Sequence, residues 1–258
     1  MPAVDADAFQ LARTPRPTVL PPLAGLDLHA LYYSARTGGD FFDAVAAGPR
    51  VIFLLTDIAG PHAQAYPIAA RIQDTLHQRV PELFGCGEIN LPDTLATLAH
   101  AINHTILEAT GRACFAPTFF GCFDPSLGIL CYLNAGGQPA IFRDTSGTRT
   151  LGGGSIPLGL FTHLTFEPAI QVFEPGATLL LVTKGVPEAS RGQRHFGVER
   201  LTRHMETFMD GSAFDLCRTT LHQAHRFRKL PWYSLQRLPF MKPERVEDLT
   251  AVALVRPF

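Results

Sequence analysis

FFGCFDPSLGILCYLNAGG, residues 119–137, sets two apolar runs on either side of a short polar stretch. FFGCF and ILCYL are rich in aromatic and aliphatic residues, and DPSLG between them supplies the Asp, Pro and Gly of a chain reversal. The stretch reads as a β-hairpin, which makes its sheet antiparallel at this point. Everything else about the fold can be placed relative to it.

Upstream, LDLHALYYSA (26–35) and VIFLLTDIAG (51–60) are short β-rich runs, with RTGGDFFDAVAAGP (36–49) read as Gly, Pro and Asp punctuation between them. Two helical stretches follow. Ile68, Ile72, Leu76 and Val80 predict a helix over 67–80, and Leu95, Leu98, Ala99, Ile102 and Ile106 predict another over 93–109, with Asp93 as its N-cap. Downstream of the hairpin, PAIFRD (139–144), IQVFEPG (170–176), TLLLVTKG (178–185) and LTAVALV (249–255) add strands. Helices are expected near 198–209 and 212–229. Strands, two helices, strands, helix and a last strand is the order of an α+β sandwich, not of alternating βαβ units.

The 258 residues, 46% hydrophobic and 17% charged, suffice for one large core. A formal net charge of −1 gives no basic field for nucleic acid, and the Arg226, Arg228, Lys229 cluster reads as a solvated helix face. Cys86, Cys114, Cys122, Cys131 and Cys217 form no C-x-x-C pair, which argues against a zinc site or a disulfide framework. Residues 1–22 are expected to be an extended Pro-rich lead-in and 23–258 a single domain. No apolar h-region opens the chain and no apolar run reaches about 18 residues, so the expectation is a cytoplasmic protein with no membrane partner.

The chemistry is carried by carboxylates at strand ends. Asp40 follows the glycine pair of TGGDFFD, Asp57 closes the buried run of LLTDIAG, and Glu247 and Asp248 directly precede the last strand. Taken singly, each Asp is most simply a turn former that bonds its own backbone, and Glu247 a solvated strand entry. Taken together, carboxylates at successive strand ends can converge at one sheet edge, and such hard oxygen ligands suit Mg²⁺ or Mn²⁺. Lys184 in LLLVTKGVPEA occupies the same sort of strand end, a full charge after a run in which four of five residues are aliphatic. Other motifs fail. LGGGSIPLG (151–159) lacks the Lys-Ser/Thr of a phosphate-cradling loop, and no G-x-S-x-G elbow is present.

GGDFFDAV, VIFLLTDIAG, FFGCFDPSLGILCYLNAGGQPAIF, IPLGL, LLLVTKGVPEA, HFGVERL and EDLTAVAL stand in the order found in metal-dependent protein serine/threonine phosphatases. The chain resembles the bacterial branch typified by the stage II sporulation E phosphatase domain, from about residue 20 to 256. The entry PPLAGLDLHALYYSA is also similar. The resemblance implies a four-layer α-β-β-α sandwich of two mainly antiparallel sheets flanked by helices. It implies hydrolysis of phosphoserine or phosphothreonine by water activated at a Mn²⁺ or Mg²⁺ centre. The implied substrate is a phosphorylated regulatory protein of the anti-sigma-factor-antagonist class, and a homodimer is compatible with it. By this resemblance Asp57 is the metal-bridging aspartate, the Ile58 carbonyl the backbone ligand beside it, and Asp40 a ligand or an orienter of metal-bound water.

Two positions depart from the pattern. The family's T-D-G, whose aspartate holds a second metal, reads Thr183-Lys184-Gly185 here, and the first of its two terminal aspartates is Glu247. A Glu still offers a carboxylate, whereas an ammonium is a donor-only cation that repels a divalent metal. One ion rather than two is therefore expected, bound by Asp40, Asp57, Ile58 and Glu247, with Asp40, Asp57 and Lys184 as the catalytic set. Three readings of Lys184 stay open: it takes the second metal's place and pairs with Asp57 or Glu247; it marks a pseudophosphatase that binds a phosphorylated partner without turnover; or it turns outward and snorkels to water. Gly136-Gly137 stands where relatives often have Gly-His, and His62 reads as a loop residue near the site. Trp232, Tyr233 and Phe240, in LPWYSLQRLPF, are expected to cap the site edge or to form a partner surface, unless they only pack a long insertion.

Overall fold

The computed structural model describes residues 14–21, 23–33, 39–60, 62–85, 87–110, 114–152, 154–209, 211–228 and 248–258. Trp232, Tyr233, Phe240 and Glu247 lie outside the described residues.

The hairpin is β4 (Thr118–Asp124) and β5 (Ile129–Ala135), with Asp124 opposite Ile129. Its turn is built by its own residues. Asp124 Oδ1 accepts the N–H groups of Ser126 and Leu127 at 2.9 and 3.2 Å, and Gly128 takes a φ of 64°, which a residue with a Cβ adopts at a cost.

Around this hairpin one sheet forms, in the order β2-β3-β4-β5-β8, with β2 at Asp40–Ala47, β3 at Arg50–Asp57 and β8 at Ala169–Val172. The second sheet runs β1-β12-β9-β6-β7. Here β1 is Asp27–Tyr33, β6 Ala140–Asp144, β7 Gly147–Leu151, β9 Thr178–Val182 and β12 Leu249–Val255. All strand pairs in both sheets are antiparallel. A two-stranded ribbon, β10 (Ser190–Arg191) and β11 (Arg194–His195), stands apart.

Among the described residues, four helices cover the sandwich. α1 (His62–Phe84) and α2 (Leu91–Thr110) lay Ile68, Ile72, Leu76, Leu95, Leu98 and Ile102 on Ile52, Leu54 and Phe120 of the first sheet. α3 (Val198–Thr207) and α4 (Ala213–Arg228) lay Leu201, Met205, Leu216 and Leu221 on Leu180, Val182, Ala251 and Ala253 of the second. Between the sheets lies a third core, with Phe42, Val51, Phe53, Leu55, Phe142, Leu179, Leu181 and Val252. The result is the four-layer α-β-β-α sandwich. It follows from strand periodicity: alternate residues of β3, β9 and β12 serve two different cores.

Three local expectations are corrected. RTGGDFFDAVAAGP is not punctuation, since residues 40–47 form the edge strand β2. Its Gly and Asp residues masked a run whose Phe41, Phe42 and Ala44 are buried and whose Asp43 is satisfied by Gln73 and His77. The first helix begins at His62 and runs through Pro67, where the ring removes a single intrahelical N–H. The second begins at Leu91, so Asn90 is the capping residue: its Oδ1 accepts the Asp93 N–H at 3.3 Å, and Asp93 sits in the first turn. Strands β7, β10 and β11 had no distinct sequence signal. Among the described residues no helix is long and apolar enough to cross a membrane. Cys114, Cys122, Cys131 and Cys217 are free.

Candidate metal centre

The alternation that fills the central core also aims the polar residues at one end of the sandwich. Asp40 comes two residues before Phe42 on β2, and Asp57 two after Leu55 on β3, so both continue the face between the sheets. From the second sheet, Thr183 follows Leu181 and Thr250 precedes Val252 with the same parity. Asp40 and Asp57 are partners in register at the ends of adjacent antiparallel strands. Both threonine hydroxyls donate to Asp40 Oδ2, Thr183 from 2.6 Å and Thr250 from 2.5 Å. The Thr250 N–H donates in turn to Thr183 Oγ1 at 3.2 Å. The two sheets are thus tied together at Asp40.

The glycine before Asp40 is required by close approach. Gly39 O accepts the Ile58 N–H at 2.9 Å, and a Cβ added to Gly39 would stand 1.9 Å from the Ile58 carbonyl oxygen. Any side chain there would push β2 away from the end of β3, and with it Asp40 from Asp57.

Burial, then the neighbouring Asp57 and, least, Asp248 push the Asp40 carboxyl up to about 7, against the pull of the Thr183 and Thr250 hydroxyls. Asp248 is 9% exposed and shares with Asp40 a cavity of about 620 Å³. Asp57 opens on a second cavity of about 120 Å³, lined also by Gly136, Gly137, Thr183 and Lys184. The hard carboxylate and carbonyl oxygen donors fit a divalent cation such as Mg²⁺ or Mn²⁺ in kind. Among the described residues no three His, Cys, Asp or Glu side chains stand close enough to hold one together. That leaves Asp40, Asp57 and the Ile58 carbonyl as the described donors from the expected set.

Lys184 is not placed among the carboxylates. Its side chain is 52% exposed, and its ammonium pairs with Glu188 at 3.5 Å rather than with Asp57. Lys184 lies in the turn that follows β9, which ends at Val182, while the Thr183 hydroxyl is held at Asp40. The Glu188 N–H bonds the Lys184 carbonyl at 3.1 Å, and this single helical turn brings the two side chains together. Pairing of Lys184 with Glu247 falls outside the described residues, as do Pro61 and the side chain of His62. Gly136 and Gly137 border the Asp57 cavity, in a loop held by Asn134, which accepts the Gly137 N–H at 2.7 Å and donates to the Gln138 carbonyl at 3.1 Å.

The expected site residues omit Thr183 and Thr250, and give Asp248 no role. The signal was present in the sequence: each lies an even number of residues from a core position of its strand.

The sequence profile of the Stage II sporulation protein E (SpoIIE) family matches residues 47–234. The chain belongs to this family. The profile starts after Asp40 and stops before Asp248 and Thr250, so the convergence of those residues is seen only in the fold. Among curated proteins the chain is similar to Protein IcfG of Synechocystis, 27% identical over 213 residues that take in 74% of this chain and 33% of that protein. The chain therefore spans about a third of the length of that relative. The SpoIIE fold is equally clear in solved structures. The PP2C phosphatase domain of the Bacillus subtilis cell fate determinant SpoIIE, with a fragment of its regulatory domain, superposes with a TM-score of 0.69 at 14% identity, over 90% of this chain and 64% of that one. RsbX, solved in complex with magnesium, superposes with a TM-score of 0.58 at 14% identity, over 88% of this chain and 94% of that one. In fold the chain is similar to these PP2C phosphatase domains.

Proposed function

We propose that this SpoIIE-family domain hydrolyses phosphoserine or phosphothreonine on a regulatory protein of the anti-sigma-factor-antagonist class. The observation that carries this reading is the Asp40–Asp57 pair, in register at the open end of the sandwich and anchored to the opposite sheet through Thr183 and Thr250. Asp40, Asp57 and the Ile58 carbonyl would hold a single Mn²⁺ or Mg²⁺, with Glu247 completing the set. The bound ion supplies a low-pKa water and neutralises charge that develops on the phosphoryl oxygens. The chain's own residues do the rest. Thr183 and Thr250 fix the orientation of Asp40, and Gly39 keeps Asp40 beside Asp57. A regulatory setting is supported by the SpoIIE relative, described as a cell fate determinant and carrying a regulatory domain.

One observation favours a second reading. Lys184 stands where the family resemblance puts a metal-binding aspartate, and its outward turn leaves that ligand place without a carboxylate. On this reading the domain binds a phosphorylated partner without turning it over. Mn²⁺-dependent hydrolysis of p-nitrophenyl phosphate by the native protein and by Lys184→Asp separates the two. Native turnover that Lys184→Asp leaves unchanged or lowers sustains the enzyme. Turnover that appears only in Lys184→Asp, together with a rise from one bound ion to two by calorimetry, establishes the binding module. No turnover in either protein refutes the enzyme reading.

A further inference from the structure

The segment 14–20 is docked on the domain by buried polar groups. Gln73 of α1, 2% exposed, holds its backbone with both ends of one amide: Oε1 accepts the Arg16 N–H at 2.7 Å, and Nε2 donates to the Arg16 carbonyl at 3.1 Å. The same Nε2 donates to Asp43 Oδ2 at 3.0 Å. Asp43 is 1% exposed and also lies 2.8 Å from His77 Nε2. Two residues on, Thr18 Oγ1 donates to the Phe42 carbonyl at 2.7 Å, while the Phe42 N–H donates to the Tyr32 hydroxyl at 3.0 Å. Phe42 belongs to the edge strand β2, so these contacts satisfy the very backbone groups that would otherwise recruit a foreign strand. The Arg16–Asp74 ion pair at 3.3 Å is exposed on both sides and adds little.

Held in this way, the strap walls the cavity of about 620 Å³ that has Asp40 and Asp248 on its lining. Pro17 and Thr18 form one side, and Tyr32 and Tyr66 stand among the others. That volume falls within the usual range for ligand clefts, about 300–1,000 Å³, and far exceeds a phosphate group. The surplus is bounded by proline rings and phenols, surfaces that pack against peptide planes and side chains.

We propose that the groove between the 14–20 strap and the β1–β2 side of the sandwich binds the polypeptide that flanks the phosphorylated residue. The site then takes an extended phosphopeptide segment in preference to a small phosphate ester. The proposal rests on the reading of Asp40 and Asp57 as the phosphate-directed end of the cleft. Gln73 and Thr18 are positioning residues, acting through the strap.

The test measures binding of two non-hydrolysable probes in the presence of Mn²⁺: a phosphonate analogue of phosphoserine amide, and short peptides of mixed flanking sequence carrying that phosphonate. The native protein is expected to bind the peptides roughly tenfold or more tightly than the amide, a difference of about 1.4 kcal/mol. Gln73→Ala and, independently, Thr18→Val should bring that ratio toward one, and Thr18→Ser should keep it. A purely structural role would weaken both probes together and leave the ratio intact, which overturns the proposal, as does a native ratio of one. Hydrolysis of p-nitrophenyl phosphate, measured alongside, keeps the two readings apart. Turnover with a ratio of one removes the groove and leaves the phosphatase. A high, strap-dependent ratio without turnover keeps the groove and removes the phosphatase.

Discussion

Strand β3 ends in opposite electrostatic arrangements. At its first residue, Arg50 meets Asp124 across the sheet, Nε to Oδ2 at 2.7 Å, with side-chain exposures of 11% and 1%. The guanidinium also donates to the carbonyls of Phe84 and Gly87, and Asp124 accepts two N–H groups from its own turn. Burial by itself would raise the Asp124 carboxyl, but Arg50 and those N–H groups overcome it and hold it below the usual carboxylate range. At the last residue of the strand, Asp57 stands opposite a second carboxylate, Asp40, whose pKa is driven the other way. One end has its charges cancelled by permanent partners. The other sets two carboxylates side by side, with Asp40 held by two hydroxyls, an arrangement suited to an exchangeable cation.

That contrast can be broken from either end. Arg50→Ala leaves Asp124 buried without its partner, and should cost about 3–5 kcal/mol in urea unfolding. A loss below about 1 kcal/mol would mean that water reaches Asp124 and that the two ends are less different than their geometry. Asp57→Asn should lower Mn²⁺-dependent turnover by about 100-fold or more while leaving the unfolding midpoint close to native. If turnover survives, the like-charge pair is not the metal centre.

The pH dependence separates the ends as well. The depressed folded pKa of Asp124 lies below its unfolded value near 3.8, so its contribution to stability is present above that pH and is lost as pH falls through the folded value. Asp124→Asn should therefore flatten the acid limb of the stability curve, measured by unfolding from about pH 5 downward. The smallest effect is expected from Asp40→Asn in metal-free protein at neutral pH. Removing one of two like charges should raise stability by about 1 kcal/mol, the opposite sign to Asp124→Asn. A loss of stability there would show that the Thr183 and Thr250 bonds outweigh the repulsion.

The same contrast explains what was legible in the chain. The Asp124 end could be read almost directly, because DPSLG encodes its turn with neighbouring residues: a side-chain acceptor at Asp124, a fixed φ at Pro125 and a left-handed Gly128. Asp40 and Asp57 stood out as carboxylates at the ends of apolar runs, and the family blocks around them agreed with that. The strand carrying Asp40 did not stand out, because two glycines and two aspartates in eight residues disguise an edge strand. Thr183 and Thr250 carry only the parity of their spacing from core positions, a signal that many ordinary residues at strand termini share.

What the sequence by itself determined is local or periodic. The hairpin and the apolar faces of α1 and α2 rest on spacing within about twenty residues, the layered α+β architecture on the order of elements, and the SpoIIE family on motif blocks spread along the chain. What only the tertiary structure decided is which side chains meet. Asp40 reaches Thr183 across 143 positions of sequence and Thr250 across 210, and the register of two separate sheets fixes both contacts. The outward turn of Lys184 and the docking of the 14–20 strap belong with these. The Thr183 hydroxyl meets Asp40 while Lys184, in the turn after β9, pairs with Glu188, and a buried amide on α1 holds the strap beside Asp40.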